Sequence, residues 1–376
     1  MELPIVEFPK YIKDISHVFA ELFEQERTRN QFGRLMTGFV MGDKHTIAHM
    51  NGLFTFHTNQ CNLNRFVTNS TWKIEDLNKK KIELIATNEK DGFVVLDDYI
   101  TEKCGKNMFG VDWQYDHCQG RNVWGVQIAD CVLSGNGIYP LLSSVYLKKK
   151  GKEISDKHEF RTKIEIQKEH LKDLVKMGLN FSCVLMDSWY FDKSLVKFIE
   201  SLGKDWISAC KSNRLILVKG KWMRIDKFAD EIKKDDFKQI TLNDKKYKMK
   251  TFTVIMKGIG AIRILISQDE KENINFYASN KVDWDEVDIA QRYSKRWDIE
   301  VWHKEGKGMY GLKECQLRCD DGVNKYLTLS ALADTLLDIS SMLSPLYATL
   351  VKQGRTMGCS ICTKIYKKVL AIFFLL

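Results

Sequence analysis

The 376-residue sequence lacks a long apolar run, a secretory leader and any regular spacing of its cysteines. A membrane-spanning helix needs about 18–20 consecutive apolar residues, and no stretch approaches that length. Residues Met1-Glu2-Leu3-Pro4 place an acid and a proline where a secretory signal has a basic end and an apolar run. The ten cysteines form no disulfide framework. We therefore expect an intracellular protein with reduced thiols and no membrane partner.

Two clusters of histidine and cysteine have to be weighed as zinc sites. A structural zinc needs two well-spaced ligand pairs that complete a tetrahedron. The first cluster has a linker shorter than that of a zinc finger, and the second is a lone Cys-x2-Cys whose candidate partner is a Cys-x3-Cys pair. Ordinary thiols and histidines are the simpler interpretation of both. The clusters are His45, His49, His57 and Cys61, and Cys359 and Cys362 with Cys315 and Cys319.

What the sequence does contain is an ordinary globular balance with an excess of positive charge. Apolar residues make up 44% and charged residues 28%, which argues against general disorder. Lysine and arginine number 58 against 49 acids, which gives a net charge of +9. This charge suits a polyanionic partner, although a mildly basic enzyme could also carry it. The length exceeds what one compact core usually supports, so we expect more than one domain.

Residues 1–88 have helical periodicity. Apolar residues recur at three-to-four spacing in several segments joined by short polar turns. The region is either a helical cap or a DNA-binding helical domain with a helix-turn-helix character, and its sequence does not decide between them. The segments are Ile15–Gln25, Gln31–Val40, His45–Leu53, Asn62–Phe66 and Trp72–Leu77.

Residues 89–214 show alternating strand and helix patterns. Short apolar runs predict strands at Gly92–Leu96, Asn122–Ser134, Gly137–Leu147, Phe181–Met186 and Trp206–Cys210. Helical periodicity appears between the later ones, at Lys163–Gly178 and Tyr190–Leu202. The order β-β-β-α-β-α-β predicts an α/β mixed sheet flanked by helices. Acids follow the first and fourth strands, and they would meet if those strands are neighbours.

The remainder of the chain divides into a β-rich part and a helical part. Lysine-rich runs between about Leu215 and Lys281 predict an antiparallel β insertion, and helical character returns at Asp285. The tail, Lys325–Val351 and Thr363–Leu376, is amphipathic and is predicted to pack against the core. We accordingly expect five regions: 1–88, helical, with DNA binding as one of its two interpretations; 89–214, the first part of an α/β core; 215–284, the β-rich insertion; 285–324, a helix of that core; and 325–376, a C-terminal helical region.

One helical segment concentrates groups that could do chemistry. Within Ala290–Tyr310, helical spacing places a carboxylate, Glu300, on one face with an aromatic hydroxyl, a guanidinium and an ammonium. The alternative is a solvated helix with ion pairs one turn apart, which is common. The other residues of this face are Tyr293, Arg296, His303 or Lys304, and Lys307.

The spacing Tyr293-x2-Arg296-x3-Glu300-x6-Lys307 resembles the signature around the last catalytic acid of insertion-sequence DDE transposases. Asp97-Asp98-Tyr99 resembles the first acidic element of that group, although the group usually has Thr or Ser where Tyr99 stands. Val184-Leu-Met-Asp187, followed by aromatic residues, resembles the second. The likeness spans roughly residues 90–315 and implies a ribonuclease H-like core with a β insertion before the glutamate helix.

The resemblance implies Asp97, Asp187 and Glu300 as catalytic acids. Three carboxylates from separate elements can hold two Mg²⁺ or Mn²⁺ ions about 4 Å apart, which clamp the attacking and leaving oxygens of a phosphoryl displacement. Either Asp97 or Asp98 could be the first ligand, and Asp97 is favoured because it ends the predicted strand. DNA contacts are expected from the four residues Tyr293, Arg296, His303 and Lys307.

The implied function is a DNA transposase that binds the terminal inverted repeats of its element, cleaves there and joins the ends to target DNA. A metal-dependent nuclease of the same fold and a catalytically inactive DNA-binding derivative are the alternatives. The expected partner is double-stranded DNA, both transposon ends and target, bound by a homodimer. The expected location is the cytoplasm, in association with the nucleoid.

Overall fold

The computed structural model describes residues 5–342, apart from residues 57, 118, 152, 155–157 and 243. Its N-terminal part is helical, as the periodicity predicts. Side chains cap two of these helices: Thr46 accepts a hydrogen bond from the His49 amide, and Asn59 accepts one from the Cys61 amide. The helices are α1 (Lys10–Val18), α2 (Glu26–Met41), α3 (Ile47–Gly52), α4 (Gln60–Thr68) and α5 (Ile74–Asn88).

The described strands form one mixed sheet of twelve strands. In its first half, β3 lies antiparallel between β4 and β1, and β1, β5 and β6 run parallel to one another. This order, β4-β3-β1-β5-β6, is that of a ribonuclease H-like sheet, so the predicted fold class is confirmed. These strands are β1 (Phe93–Glu102), β2 (Val111–Asp116), β3 (Arg121–Ser134), β4 (Ile138–Tyr146), β5 (Cys183–Met186) and β6 (Asp205–Cys210).

Two details of this half differ from the prediction. The strand β2 was not predicted; it pairs with the first residues of β3, from Arg121 to Val126. Strand β1 was predicted to end at Leu96 but continues to Glu102, because β3 pairs with it along its whole length. The parallel neighbour β5 pairs only with Phe93–Leu96. Asp97 therefore lies within a strand, at the point where one of the strand's two neighbours ends.

Helices cover both faces of the sheet because its strands are apolar on both sides. Side chains of β1 alternate between two cores: Val94 and Leu96 belong to the core under α6 and α7, whereas Val95 and Tyr99 belong to the core shared with the N-terminal helices. The two helices over the core of Val94 and Leu96 are α6 (Lys163–Lys176) and α7 (Lys193–Ser201). Helix α6 starts with a capping box at Thr162.

The second half of the sheet is the antiparallel insertion that the lysine-rich runs predict. Strand β12 pairs antiparallel with β6, and this pairing joins the insertion to the first half of the sheet. The elements are β7 (Leu215–Val218), β8 (Lys221–Arg224), α8 (Ile225–Asp230), β9 (Lys238–Leu242), β10 (Lys245–Met256), β11 (Gly260–Gln268) and β12 (Ile274–Ser279).

The segment predicted as one helix over Ala290–Tyr310 is two helices, α9 (Glu286–Ser294) and α10 (Trp297–Met309). Amides 295 and 296 bond to carbonyls three residues earlier, at 3.1 and 2.9 Å, so the α-helical ladder is interrupted there. Helix α10 ends before Gly311, whose φ of +67° suits glycine and whose added Cβ would lie 2.3 Å from His45 Cβ. Helix α11 (Asp320–Met342) follows.

In the part of the chain that the structure describes, no helix has the length and apolarity needed to cross a bilayer. Several predictions concern residues outside that part. They are those on His57, on the pair Cys359 and Cys362, and on the tail beyond residue 342, including Thr363–Leu376.

Candidate active site

The strand pairing brings Asp97 and Asp187 together. Leu96 of β1 pairs with Met186 of β5 in parallel register, so the two aspartates are the next residues along adjacent strands. The Asp187 carboxylate accepts hydrogen bonds from the amides of Trp189 (2.9 Å) and Tyr190 (3.0 Å), which fix it in the turn after β5. The expectation that acids of the first and fourth strands meet is confirmed.

Helix α10 brings Glu300 to the same edge. The Arg296 guanidinium lies between two carboxylates, 3.3 Å from Asp97 and 3.4 Å from Glu300. Asp97, Glu300 and His303 each place a potential ligand atom within 4.8 Å of the others. Because carboxylate oxygens and an imidazole nitrogen are common metal ligands, this cluster is chemically suited to a cation.

The electrostatics of Asp97 reflect this crowding. Burial, the neighbouring Asp187 carboxylate and then that of Glu300 raise the pKa of Asp97 to about 8. An opposite charge close to the carboxylates would reverse this effect. The carboxylates of this site therefore repel one another, and the single positive charge of Arg296 offsets only part of that repulsion.

Asp98 is not brought into this group, because successive side chains of a strand point to opposite faces. On the opposite face its carboxylate accepts hydrogen bonds from Lys163 (2.8 Å), the Tyr190 hydroxyl (2.8 Å) and Gln127 (2.5 Å). These three donors hold Asp98 against α6, away from Glu300.

The other residues of the predicted helix face have different surroundings. The Tyr293 hydroxyl donates to the Met186 carbonyl (3.3 Å), directly before Asp187. Lys307 lies over the ring of Tyr99, with its Nζ 5.0 Å from the centroid. The His303 ring is buried and also packs on Tyr99, with centroids 4.5 Å apart. The large Tyr99 side chain thus fills the space under α10.

The sequence reasoning missed Asp130, which is fully buried in β3 directly opposite Asp97. Burial raises the pKa of Asp130 to about 6, an effect limited by hydrogen bonds from Ser143 and Trp302. Burial also lowers the pKa of the neighbouring Lys81 to about 8. The available signal was an acid within the otherwise apolar run Ile128–Leu133.

Comparisons with known proteins give the families that this chain resembles. Residues 18–222 match the family model described as DDE superfamily endonuclease, and residues 161–336 match the model described as transposase DDE domain. The chain is 25% identical, over 326 residues and 82% of each chain, to a probable transposase for insertion sequence element IS701 from Microchaete diplosiphon. A solved Drosophila P element transposase strand transfer complex matches with 8% identity over 96% of this chain and 91% of that one, at a TM-score of only 0.22.

The matched ranges contain the acidic residues that converge in the structure. Asp97 lies in the first match, Glu300 in the second and Asp187 in both. Because the first match alone spans more than half of the sequence, the chain belongs to the family of DDE superfamily endonucleases.

Proposed function

We propose that the chain is a DNA transposase that binds the terminal inverted repeats of its insertion sequence, cleaves strands there and transfers them to target DNA. The observation that carries this proposal is the convergence of carboxylates from β1, β5 and α10 at one edge of the sheet. The named activity of the IS701 relative supports it.

Asp97, Asp187 and Glu300 are the proposed ligands of two Mg²⁺ or Mn²⁺ ions. They supply hard anionic oxygens from three separate elements, and the raised pKa of Asp97, which is caused first by burial and then by the Asp187 and Glu300 carboxylates, supports a site that favours cations. When bound, the ions would stabilise charge on the attacking and leaving oxygens of a phosphoryl displacement. We propose Asp97 rather than Asp98 as the first ligand, because Asp98 is engaged by three donors on the opposite face.

The cationic residues of α10 have proposed roles toward the DNA backbone. Arg296 pairs with Asp97 and Glu300 in this structure, and we propose that it donates to a phosphate once cations satisfy those carboxylates. Lys307 is the second proposed phosphate contact. Tyr293 supports the strand end at Met186. His303 is too buried for a direct DNA contact, so its proposed role is to support α10.

The proposed partner is double-stranded DNA, bound as transposon ends and as target by a homodimer in the nucleoid. The net charge of +9 supports a polyanionic partner. Residues 1–88 are proposed to recognise the ends, the insertion 215–284 to extend the core, and residues 285–324 to carry Glu300 to it.

The decisive experiment incubates the purified protein with labelled element ends, Mg²⁺ and a target plasmid. Products in which an end is joined to the plasmid support a transposase. Cleavage without joining would instead identify a metal-dependent nuclease. A retarded band with neither product would identify an inactive DNA-binding derivative.

In the same assay, Glu300→Gln keeps the shape of the side chain but removes its charge. We expect cleavage to fall by several orders of magnitude while DNA binding persists, because a metal ligand is lost. The control Glu231→Gln removes the same charge at an exposed position of the insertion and should cleave normally. Normal cleavage by Glu300→Gln would reduce Glu300 to an ion-pair partner of Arg296, worth about 0.2–0.5 kcal/mol.

A further inference from the structure

Asp130 is a buried carboxylate whose hydrogen bonds reach two different elements. One oxygen accepts from the Ser143 hydroxyl (2.8 Å) on β4 and from the Cys131 amide (3.0 Å). The other accepts from the indole N–H of Trp302 on α10, at 2.6 Å. Buried Lys81, which donates to the Leu141 carbonyl at 2.5 Å, provides a positive charge nearby. A fully buried acid with this many donors is a fixed point of the structure.

This fixed point lies directly beside the acidic cluster. Asp130 pairs with Asp97 across the β3–β1 ladder, and directly opposite residues of an antiparallel pair share one face of the sheet. The oxygen that accepts from Trp302 also lies 3.7 Å from His303 Nε2, which has no hydrogen-bond partner. Two consecutive side chains of α10 thus converge on one oxygen of the strand that pairs with the strand of Asp97.

A second anchor joins the same helix to the same strand. The Ser134 hydroxyl of β3 donates to the Asp298 carboxylate, one helical turn before Trp302. Glu300 lies midway between the two anchored residues in the sequence of α10. These two contacts therefore fix both the position of α10 and its rotation about its own axis relative to strand β3.

We propose that Asp130, together with Ser134, is a positioning residue that sets the distance between the Glu300 and Asp97 carboxylates. This inference rests on the proposed metal-dependent function. A rotation of α10 by about 20° would move a side-chain tip about 6 Å from the axis by roughly 2 Å. Displacements of that size disrupt a site that needs its ligands in fixed positions.

The test compares Mn²⁺ affinity of full-length variants, measured from the electron paramagnetic resonance signal of free Mn²⁺. Trp302→Phe removes the indole N–H but keeps a large aromatic ring, and it should weaken Mn²⁺ binding by about 10-fold or more. Trp206→Phe is the matched control, because Trp206 is equally buried and its indole donates to a different carboxylate, Glu200, at 3.1 Å. This control should bind Mn²⁺ like the wild type.

A second control separates positioning from general stability. Ser143→Ala removes another hydrogen bond to Asp130 but leaves its contact with α10, so Mn²⁺ affinity should stay within about twofold of the wild type even if the unfolding temperature falls. Should Trp302→Phe fail to fold, Ser134→Ala releases the other anchor with a smaller change and should weaken Mn²⁺ binding as well.

The outcomes distinguish this inference from the function on which it rests. Wild-type affinity in both Trp302→Phe and Ser134→Ala would overturn the positioning role while leaving the metal site intact. Equal weakening in Ser143→Ala and Trp206→Phe would also overturn it, since any loss of stability would then have the same effect. Absence of Mn²⁺ binding by the wild-type protein would contradict the proposed function itself.

Discussion

At the scale of single residues, adjacent aspartates of β1 have opposite environments. Asp97 lies near the carboxylates of Asp187 and Glu300. Asp98 instead accepts hydrogen bonds from Lys163, Tyr190 and Gln127. We expect Asp97→Asn to abolish cleavage without lowering the unfolding temperature, because it relieves repulsion between carboxylates. Asp98→Asn should cost about 2–4 kcal/mol of unfolding free energy, because it leaves the partly buried Lys163 ammonium without its counter-charge. Chemical denaturation and the cleavage assay, applied to both variants, measure the two effects.

The opposite assignment has an equally clear signature. If Asp98 were the metal ligand, Asp98→Asn would remove cleavage at nearly unchanged stability, and Asp97→Asn would lose stability through the loss of Arg296 pairing. The two substitutions are chemically identical and one residue apart, so differences in solubility or overall charge cannot account for either pattern.

The sequence pointed to Asp97, Asp187 and Glu300 but not to Asp130. Asp97 and Asp187 follow apolar runs that announce buried strands, and Glu300 lies in a spaced motif. Asp130 sits inside an apolar run, where its partners come from β4 and α10, 13 and 172 residues away. Periodicity and motifs report local order, so contacts of that separation are invisible to them.

At the scale of elements, one buried glutamate holds α9 to the insertion. Glu286 accepts hydrogen bonds from Lys238 (2.8 Å) and from the Thr251 amide (3.0 Å) and hydroxyl (2.9 Å). Burial alone would raise the pKa of Glu286, but these donors outweigh burial and lower it to about 2. The ionised form is therefore stabilised by folding.

The stability that Glu286 contributes should depend on pH in a defined direction. Its pKa is lower in the folded protein than in the unfolded chain, so the contribution is complete above about pH 5 and is lost as the pH falls towards 2. Glu286→Gln should cost about 1–3 kcal/mol at neutral pH and flatten the acid side of the stability profile. Urea titrations between pH 3 and pH 7 measure this, with Glu231→Gln as the exposed control. Parallel profiles for Glu286→Gln and the wild type would contradict the assignment.

Element boundaries were predicted less well than element types. The break between α9 and α10 lies at Ser294-Lys295-Arg296. Because these residues include no proline or glycine, the sequence there predicts an uninterrupted helix. Tertiary contacts select the break: Tyr293 bonds to Met186 while Arg296 turns to the carboxylates. The strand β2 was missed because Trp113 and Tyr115 are exposed and its pattern is short.

At the scale of the whole molecule, the excess positive charge predicts salt-sensitive DNA binding. The logarithm of the association constant should fall linearly with the logarithm of salt concentration, because each neutralised phosphate releases counterions. Lys307→Gln should reduce the magnitude of the slope by about 1. Lys172→Gln should not, because Lys172 is an exposed residue of α6, which packs on the face opposite α10. A flat salt response would exclude nucleic acid as the main partner.

The N-terminal helices share a core with the rest of the chain. Phe39 packs edge-on against Tyr326 of α11, with ring centroids 5.1 Å apart, and Lys81 is buried against β4. Deleting residues 1–88 should therefore abolish cooperative thermal unfolding by exposing this core. A truncated protein that melts cooperatively near the wild-type temperature would show instead that the helices are an independent unit.

The antiparallel pairing of β6 with β12 has a consequence for how this architecture can vary. The chain leaves the first half of the sheet through β6 and returns through β12, which is hydrogen-bonded to β6, so the outer hairpins of the insertion begin and end at neighbouring strands. The turn at Lys219-Gly220 joins β7 and β8, which are the fifth and sixth strands from β5, so at the usual strand spacing it lies roughly 24–29 Å from β5. We therefore expect changes of length at this turn to leave the carboxylates undisturbed. The same turn is consequently a promising graft point for a fluorescent tag or an affinity peptide.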